Sequence, residues 1–285
     1  GLPPYAPVSE LQEKYGSPNP KGLMEYISTC KRESKPQTKF QYSCLNYITL
    51  QHIIETITGQ SLRDFAKENI FDILGMQYTD YLPTIQQQDG KWINTVACPW
   101  MDRIAPTEKQ KDGSVLCGQV HDPLARILNG GISGNAGIFS NANDIGILAA
   151  ALLNGGEYNG RRILSPLGVK TMCTVPRELT AFGRTPGWDI FSPYASNKGD
   201  LFSPNTFGHT GYTGTSDPDN DTAVILLVNA VHPEDRHSIV RLRSLVANAV
   251  ASSICPPAQV YTDHYYKRFL QFETETPISP KDIVM

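Results

Sequence analysis

The strongest constraint on the fold lies between residues 207 and 229. Phe207-Gly208-His209-Thr210-Gly211-Tyr212-Thr213-Gly214-Thr215-Ser216 sets a basic side chain, a hydroxyl and a glycine in a row, then repeats the Thr-Gly pair. Threonine favours extended backbone, and glycine lets another molecule approach it closely. Asp217-Pro218-Asp219-Asn220 carries turn chemistry, and 222–229 is a continuous apolar, β-branched run of strand length. The pattern predicts a strand over 207–216 with its edge open to a ligand, then a turn and a buried partner strand. Downstream, Ile239, Leu242, Val246, Ala249 and Val250 recur at helical spacing over 238–254, and Pro256-Pro257 stops that helix.

Upstream the chain reads as mainly helical. Residues 1–22, rich in Pro, Gly and Ser, read as loop. A short helix over 22–31 would carry Leu23, Tyr26 and Ile27 on one face. Ile48, Ile53, Ile54 and Ile57 form a stripe on a helix over 45–58 that Gly59 closes. Ser61-Leu62-Arg63-Asp64 has the form of a capping box for a further helix through about Leu74, with Leu62, Phe65, Ala66, Ile70 and Phe71 facing the core. Residues 80–125 have little periodicity and read as a long excursion that Trp92, Trp100 and Cys98-Pro99 pack down. The glycine-rich run 129–137 lacks a Gly-Lys-Ser/Thr ending, so it is no P-loop. It misses Gly-x-Ser-x-Gly because Asn135 stands at the last glycine. It reads as a tight loop leading into a helix over 143–153, with Ile145, Leu148, Ala149 and Leu152 inward. A short helix over 163–174 and a loop-and-strand region around Trp188 follow.

A net charge of −3 leaves no basic footprint for nucleic acid and no polybasic membrane patch. No apolar run has the length of a membrane-spanning helix. The six cysteines stand apart without CxxC pairs, which argues for small buried apolar residues rather than a zinc site. His121-Asp122 has no third ligand at metal spacing, so no metal is expected and the pair reads as structural.

His209-Thr210-Gly211 resembles the Lys/His-Thr-Gly box of the serine β-lactamase and penicillin-binding-protein superfamily, in particular its class C-like, esterase-like and D-Ala-D-Ala carboxypeptidase-like members. Tyr42-Ser43-Cys44 resembles the family's Tyr-Ser-Asn/Asp segment. The likeness continues in family order through Gly59-Gln60-Ser61, Leu74-Gly75-Met76, the 131–140 loop and Leu153-Asn154-Gly155-Gly156, covering most of 1–255. It implies an α/β (α+β) fold of the β-lactamase/transpeptidase type: a mainly helical region over 1–178 carrying the Tyr box, beside an antiparallel sheet over 179–255 backed by the 238–254 helix. The tail 256–285, with its tyrosines and phenylalanines, would pack partly on the body. The sheet is expected to be incomplete at its N-terminal side.

By that resemblance the function is serine hydrolysis of an amide or ester through an acyl-serine intermediate, with no cofactor. The substrate would be a small ester, β-lactam or D-amino-acid peptide, and the setting bacterial and extracytoplasmic. The alternative is a non-catalytic penicillin-binding-like or peptidoglycan-binding relative, or an inactive fragment of the enzyme. Carried over by position, Tyr42 would be the phenol that moves the proton, which needs its pKa well below about 10. His209 would stand where a lysine usually gives positive charge. A histidine there can be neutral, which favours esters over substrates with a carboxylate. The Tyr212 N–H would be an oxyanion donor, and Thr210, Gly211 and Cys44 would line the substrate site. Tyr42 and His209 are expected to face one cleft.

Three departures qualify the match. Cys44 replaces the orienting Asn/Asp. Ser216 reaches Asp217-Pro218 sooner than the family pattern does. The nucleophile helix and first strands are expected before Gly1. Ser28-Thr29-Cys30-Lys31 is a formal Ser-x-x-Lys, but it lies only fourteen positions before Tyr42 and is read as a coincidence, with Lys31 solvated. An exposed sheet edge near 207–229 would then invite pairing with another chain.

Overall fold

The computed structural model describes residues 1–36, 38–190, 198–234 and 238–254. Cys255 and the aromatic tail lie outside the described residues. The chain forms two compact units. The first comprises Gly1–Leu148, Glu157–Ile163 and Leu227–His237; the second comprises Ala149–Gly156, Leu164–Leu226 and Ser238–Met285.

Residues 1–22 are not loop, as composition implied. Helix α1 spans Val8–Tyr15 and α2 spans Pro20–Thr29. The prolines fit because one of them, Pro20, stands at the first position of α2, where its missing N–H costs nothing; the Asn19 side chain accepts from Gly22 N–H at 2.8 Å. Leu11 of α1 and Leu23 and Ile27 of α2 join Leu45, Ile48, Leu124 and Leu128 in the first unit's core.

Helix α3, Cys44–Thr58, ends where Gly59 turns left-handed at φ 70°. Its apolar stripe is only half right. Leu45 and Ile48 are buried, whereas Ile53 is 45% and Ile57 78% exposed. The buried face rotates to Gln51, whose side chain holds the 129–137 loop, so the C-terminal isoleucines turn outward. Ser61 accepts from Asp64 N–H at 3.1 Å to open α4, Leu62–Ala66, which runs through a π-helical turn, Lys67–Phe71, into α5, Asp72–Leu74. Phe71 and Ala66 are buried there.

The 80–125 excursion is partly regular. Strand β1, Asp80–Tyr81, later pairs with β4, and β2, Thr84–Gln86, forms an antiparallel pair with β3, Trp92–Asn94. A π-helical turn, Leu124–Leu128, leads into the glycine-rich loop, and β4, Ile138–Phe139, closes on β1. Helix α6 runs Ala142–Leu153 and buries Ala149 and Leu152. Strands β5, Glu157–Tyr158, and β6, Arg161–Arg162, form a small antiparallel pair, and α7 spans Pro166–Cys173.

The second unit carries a three-stranded antiparallel sheet in the order β7-β8-β9. Residues 207–216 are not one strand. Strand β7 is Phe207–His209, the chain turns at Thr213 with φ 59°, and β8, Gly214–Asp217, returns along it. The Thr213 N–H closes the turn onto His209 O and Thr210 O, both at 3.1 Å. Strand β9, Thr222–Ile225, is half-buried rather than buried, and Leu227 beyond it is 45% exposed. Helix α8, Val240–Ile254, backs the sheet: Ala247 and Ala251 pack with Phe202, against partly buried Leu201, Val224 and Val250. The expected face is shifted, with Leu242 exposed, because alanines let the helix lie closer than leucines would.

Candidate active site

In the first unit a strap of main chain fixes the Tyr box. The Ser43 hydroxyl donates to Pro3 O at 2.6 Å and Cys44 N–H to Pro4 O at 2.9 Å. The Tyr5 hydroxyl donates to Asp122 Oδ2 at 2.9 Å and accepts from Leu124 N–H at 3.0 Å. Asp122 also accepts from Ala125 N–H at 2.8 Å, so its role is to anchor a turn. Tyr42 is half-buried immediately ahead of α3.

The glycine-rich loop lies on α3. A Cβ on Gly134 would stand 2.0 Å from Tyr47 O, so only glycine admits this approach. Gln51 Nε2 donates to Ile132 O at 3.1 Å, while its Oε1 accepts from Gly134 N–H at 2.9 Å and Asn129 Nδ2 at 2.9 Å. Asn129 also donates to Ser133 Oγ at 2.8 Å, and Ser133 to Asn135 Oδ1 at 2.7 Å. The Asn135 amide acts on the Cys44 thiol in the direction of the thiolate. An amide thus stands beside the position where Cys44 replaces the box's usual amide. Sequence reading registered Asn135 only as a broken glycine motif, because the contact is tertiary. Burial, then the Asp122 carboxylate, pushes the Cys44 thiol up, so it is not a thiolate nucleophile.

In the second unit β7 presents His209 half-buried and the turn presents Thr210 and Gly211 exposed. Gly211 N–H donates to His209 Nδ1 at 3.0 Å, which leaves the ring proton on Nε2. Burial first, then the Arg184 and Arg243 guanidinium groups, hold the imidazole below its ordinary pKa against the opposing pull of Asp189. His209 is therefore neutral at neutral pH. Tyr212 packs its ring against Trp188 with centroids 4.9 Å apart, and burial pushes its phenol up to about 12. Its N–H, the expected oxyanion donor, meets no acceptor among the described residues. The edge of β7 is not open at Gly208, where Asp189 pairs with it. Any ligand-facing edge begins beyond His209.

The Ser-x-x-Lys at 28–31 lacks the geometry of a nucleophile. Helix α2 ends at Thr29, so Lys31 is off the helix and exposed, and Ser28 donates its hydroxyl to Glu25 O at 2.8 Å. Among the described residues no cluster of His, Cys, Asp and Glu could hold a metal ion.

Residues 1–248 match the Beta-lactamase family. The chain belongs to that family.

A relative from Escherichia coli (strain K12), provisionally named D-alanyl-D-alanine carboxypeptidase, is 34% identical over 226 residues, 73% of this chain and 49% of that protein. One from Salmonella gallinarum with the same provisional name is 32% identical over 246 residues, 80% of this chain and 54% of its own length. The chain spans about half the length of these curated relatives. Among solved structures, a penicillin-binding-protein homologue from Caulobacter crescentus superposes with TM-score 0.55 at 15% identity, covering 88% of this chain and 67% of that one. A Mycobacterium bovis β-lactamase gives TM-score 0.52 at 16% identity, covering 87% and 83%. These likenesses establish the fold, an α/β architecture of the β-lactamase type within a family of serine hydrolases.

Proposed function

We propose that the chain forms part of a serine hydrolase that cleaves an amide or ester through an acyl-serine intermediate. In that reading the mainly helical region, 1–178, supplies Tyr42 and the sheet region, 179–255, supplies His209. Tyr42 moves the proton, the Tyr212 N–H supports the developing oxyanion, and His209, Thr210 and Gly211 orient the substrate from β7 and its turn. Asn135 orients it beside Cys44. The observation that carries the reading is the neutral, Nε2-protonated His209 held by Gly211 N–H at 3.0 Å, next to a Tyr212 N–H with no acceptor among the described residues. A hydrogen-bond donor without charge suits an ester or amide carbonyl better than a carboxylate. The relatives' names add D-alanyl-D-alanine peptides to the candidate substrates. We place the protein outside the bacterial cytoplasm, and offer the outer edge of β9 to a further strand.

The second reading, a relative that binds peptidoglycan-like ligands without turnover, draws on Cys44 in the Tyr box and on thiols that burial keeps protonated. Intact mass of the full-length natural protein with a fluorophosphonate or penicillin probe separates the two. A stoichiometric serine adduct, with release of hydrolysed product, is the expected outcome; binding of penicillin without any adduct sinks the enzyme reading.

A further inference from the structure

Residues 183–190 fold back on themselves: Thr185 N–H donates to Trp188 O and Ile190 N–H to Gly183 O, both at 2.9 Å. The returning limb lies along β7, with Asp189 N–H on Gly208 O at 2.9 Å and Gly208 N–H on Asp189 O at 3.0 Å. Trp188 seals the corner, its ring 5.3 Å from Phe207 and 4.9 Å from Tyr212. Within this corner Arg184 Nη2 pairs with Asp189 Oδ2 at 3.1 Å, and the two side chains are 11% and 5% exposed. The carboxylate is thus tied by main chain to the residue beside His209, and the guanidinium is tied to the carboxylate. Arg243 of α8 is the third charge that acts on the imidazole. A buried ion pair of this kind contributes little net stability against an apolar replacement, so its presence beside a candidate site calls for another role.

We propose that the Arg184–Asp189 pair is a positioning device for His209: it fixes the strand that carries the imidazole and sets two opposed, offsetting charges beside it, so that burial rather than either charge keeps the ring an uncharged Nε2–H donor. This rests on the reading of His209 as a site residue. The two members act on the ring with opposite signs, Arg184 against its protonation and Asp189 in favour of it. The ring thus meets opposed contributions from one fixed unit, its members 3.1 Å apart.

The test is a titration of the 285-residue chain labelled with 15N-histidine, with the His209 resonances assigned by His209→Gln. The nitrogen shifts should show Nδ1 as acceptor and Nε2 as the protonated atom. Asp189→Asn should lower the His209 midpoint and Arg184→Gln should raise it, each by about 0.5–1 pH unit for a nearby charge in a partly solvated site. Arg184→Lys, which keeps the charge, and the double variant, which removes both charges, should stay near the parent. A merely structural pair would behave differently, moving both single variants toward the free-imidazole midpoint. Shifts of the same sign, no shift, or a double variant far from the parent would overturn the proposal. If a single variant fails to fold, the double variant and Arg184→Lys still decide it. The readout needs no turnover, so a full-length protein that forms no acyl adduct would remove the proposed function and leave this result standing.

Discussion

Asp217 shows what the shortened link after Ser216 requires. Its fully buried carboxylate accepts from Ser203 Oγ at 2.5 Å, Ser203 N–H at 3.0 Å, Asn220 Nδ2 at 2.7 Å and Asp219 N–H at 3.1 Å. Asp217→Ala strands these donors, and should cost about 3 kcal/mol in chemical denaturation, since each buried orphan costs roughly 1–3 kcal/mol. Gly208 is equally constrained, because a Cβ there would lie 2.6 Å from Gly214 O and 3.2 Å from Thr215 Cα, both main chain. Gly208→Ala should destabilise by about 1–3 kcal/mol, as overpacking does. His209 gives a pH signature. Its folded pKa lies below the unfolded one, so the unfolded chain binds its proton first on acidification. The stability that neutral His209 contributes is present above the ordinary value of about 6.5 and is lost as pH falls below it. Denaturant midpoints at pH 5 and pH 7 should therefore differ more for the parent than for His209→Gln; equal differences would contradict a half-buried neutral ring. At this scale the His-Thr-Gly box was legible because its hydrogen bonds are local. Arg184 and Asp189 were not, because the short fold-back that joins them carries no sequence signal, and Asn135 was not, because it comes beside Cys44 only through tertiary folding.

Helices were readable where a cap and a periodic stripe coincided. Gly59 and Ser61 fixed the end of α3 and the start of α4, since left-handed glycine and a serine cap act within one turn. Burial was less legible. The isoleucines of α3 share a helical stripe, yet Ile48 is buried while Ile53 is 45% and Ile57 78% exposed. Periodicity says which side chains share a face, but the neighbour that covers that face is a tertiary fact. In the 285-residue chain Ile57→Ser should change stability by no more than about 0.5 kcal/mol, whereas Ile48→Ala should cost about 2–5 kcal/mol. A large cost for Ile57→Ser would show that the face is covered in solution. The split of 207–216 into two strands has a similar origin. Thr213 adopts φ 59°, a conformation that composition gives no reason to assign to threonine, and the hydrogen bonds from its N–H select it.

For the molecule as a whole, family order along the chain was the legible quantity, and the catalytic competence of these residues is the open one. Acyl transfer needs a serine hydroxyl within hydrogen-bond reach of its base. Ser28 with Lys31 has the sequence form, but α2 ends at Thr29 and the Ser28 hydroxyl is given to Glu25 O. Ser43 is buried, with its hydroxyl on Pro3 O at 2.6 Å. Burial holds the Cys44 and Cys173 thiols up, Cys173 to about 11, so no thiolate takes the serine's place at those positions. In the proposed reading Tyr42, His209 and the Tyr212 amide would polarise a bound carbonyl without attacking it. Sites that lose their nucleophile keep only a small part of their rate, from binding and oxyanion stabilisation. Residues 1–285 expressed alone should accordingly hydrolyse neither nitrocefin nor p-nitrophenyl esters above background, and Ser28→Ala should leave that baseline unchanged. Saturable turnover by the 285-residue chain, lost on Ser28→Ala, would make Ser28 the nucleophile and would require α2 to extend through Lys31 when substrate is bound.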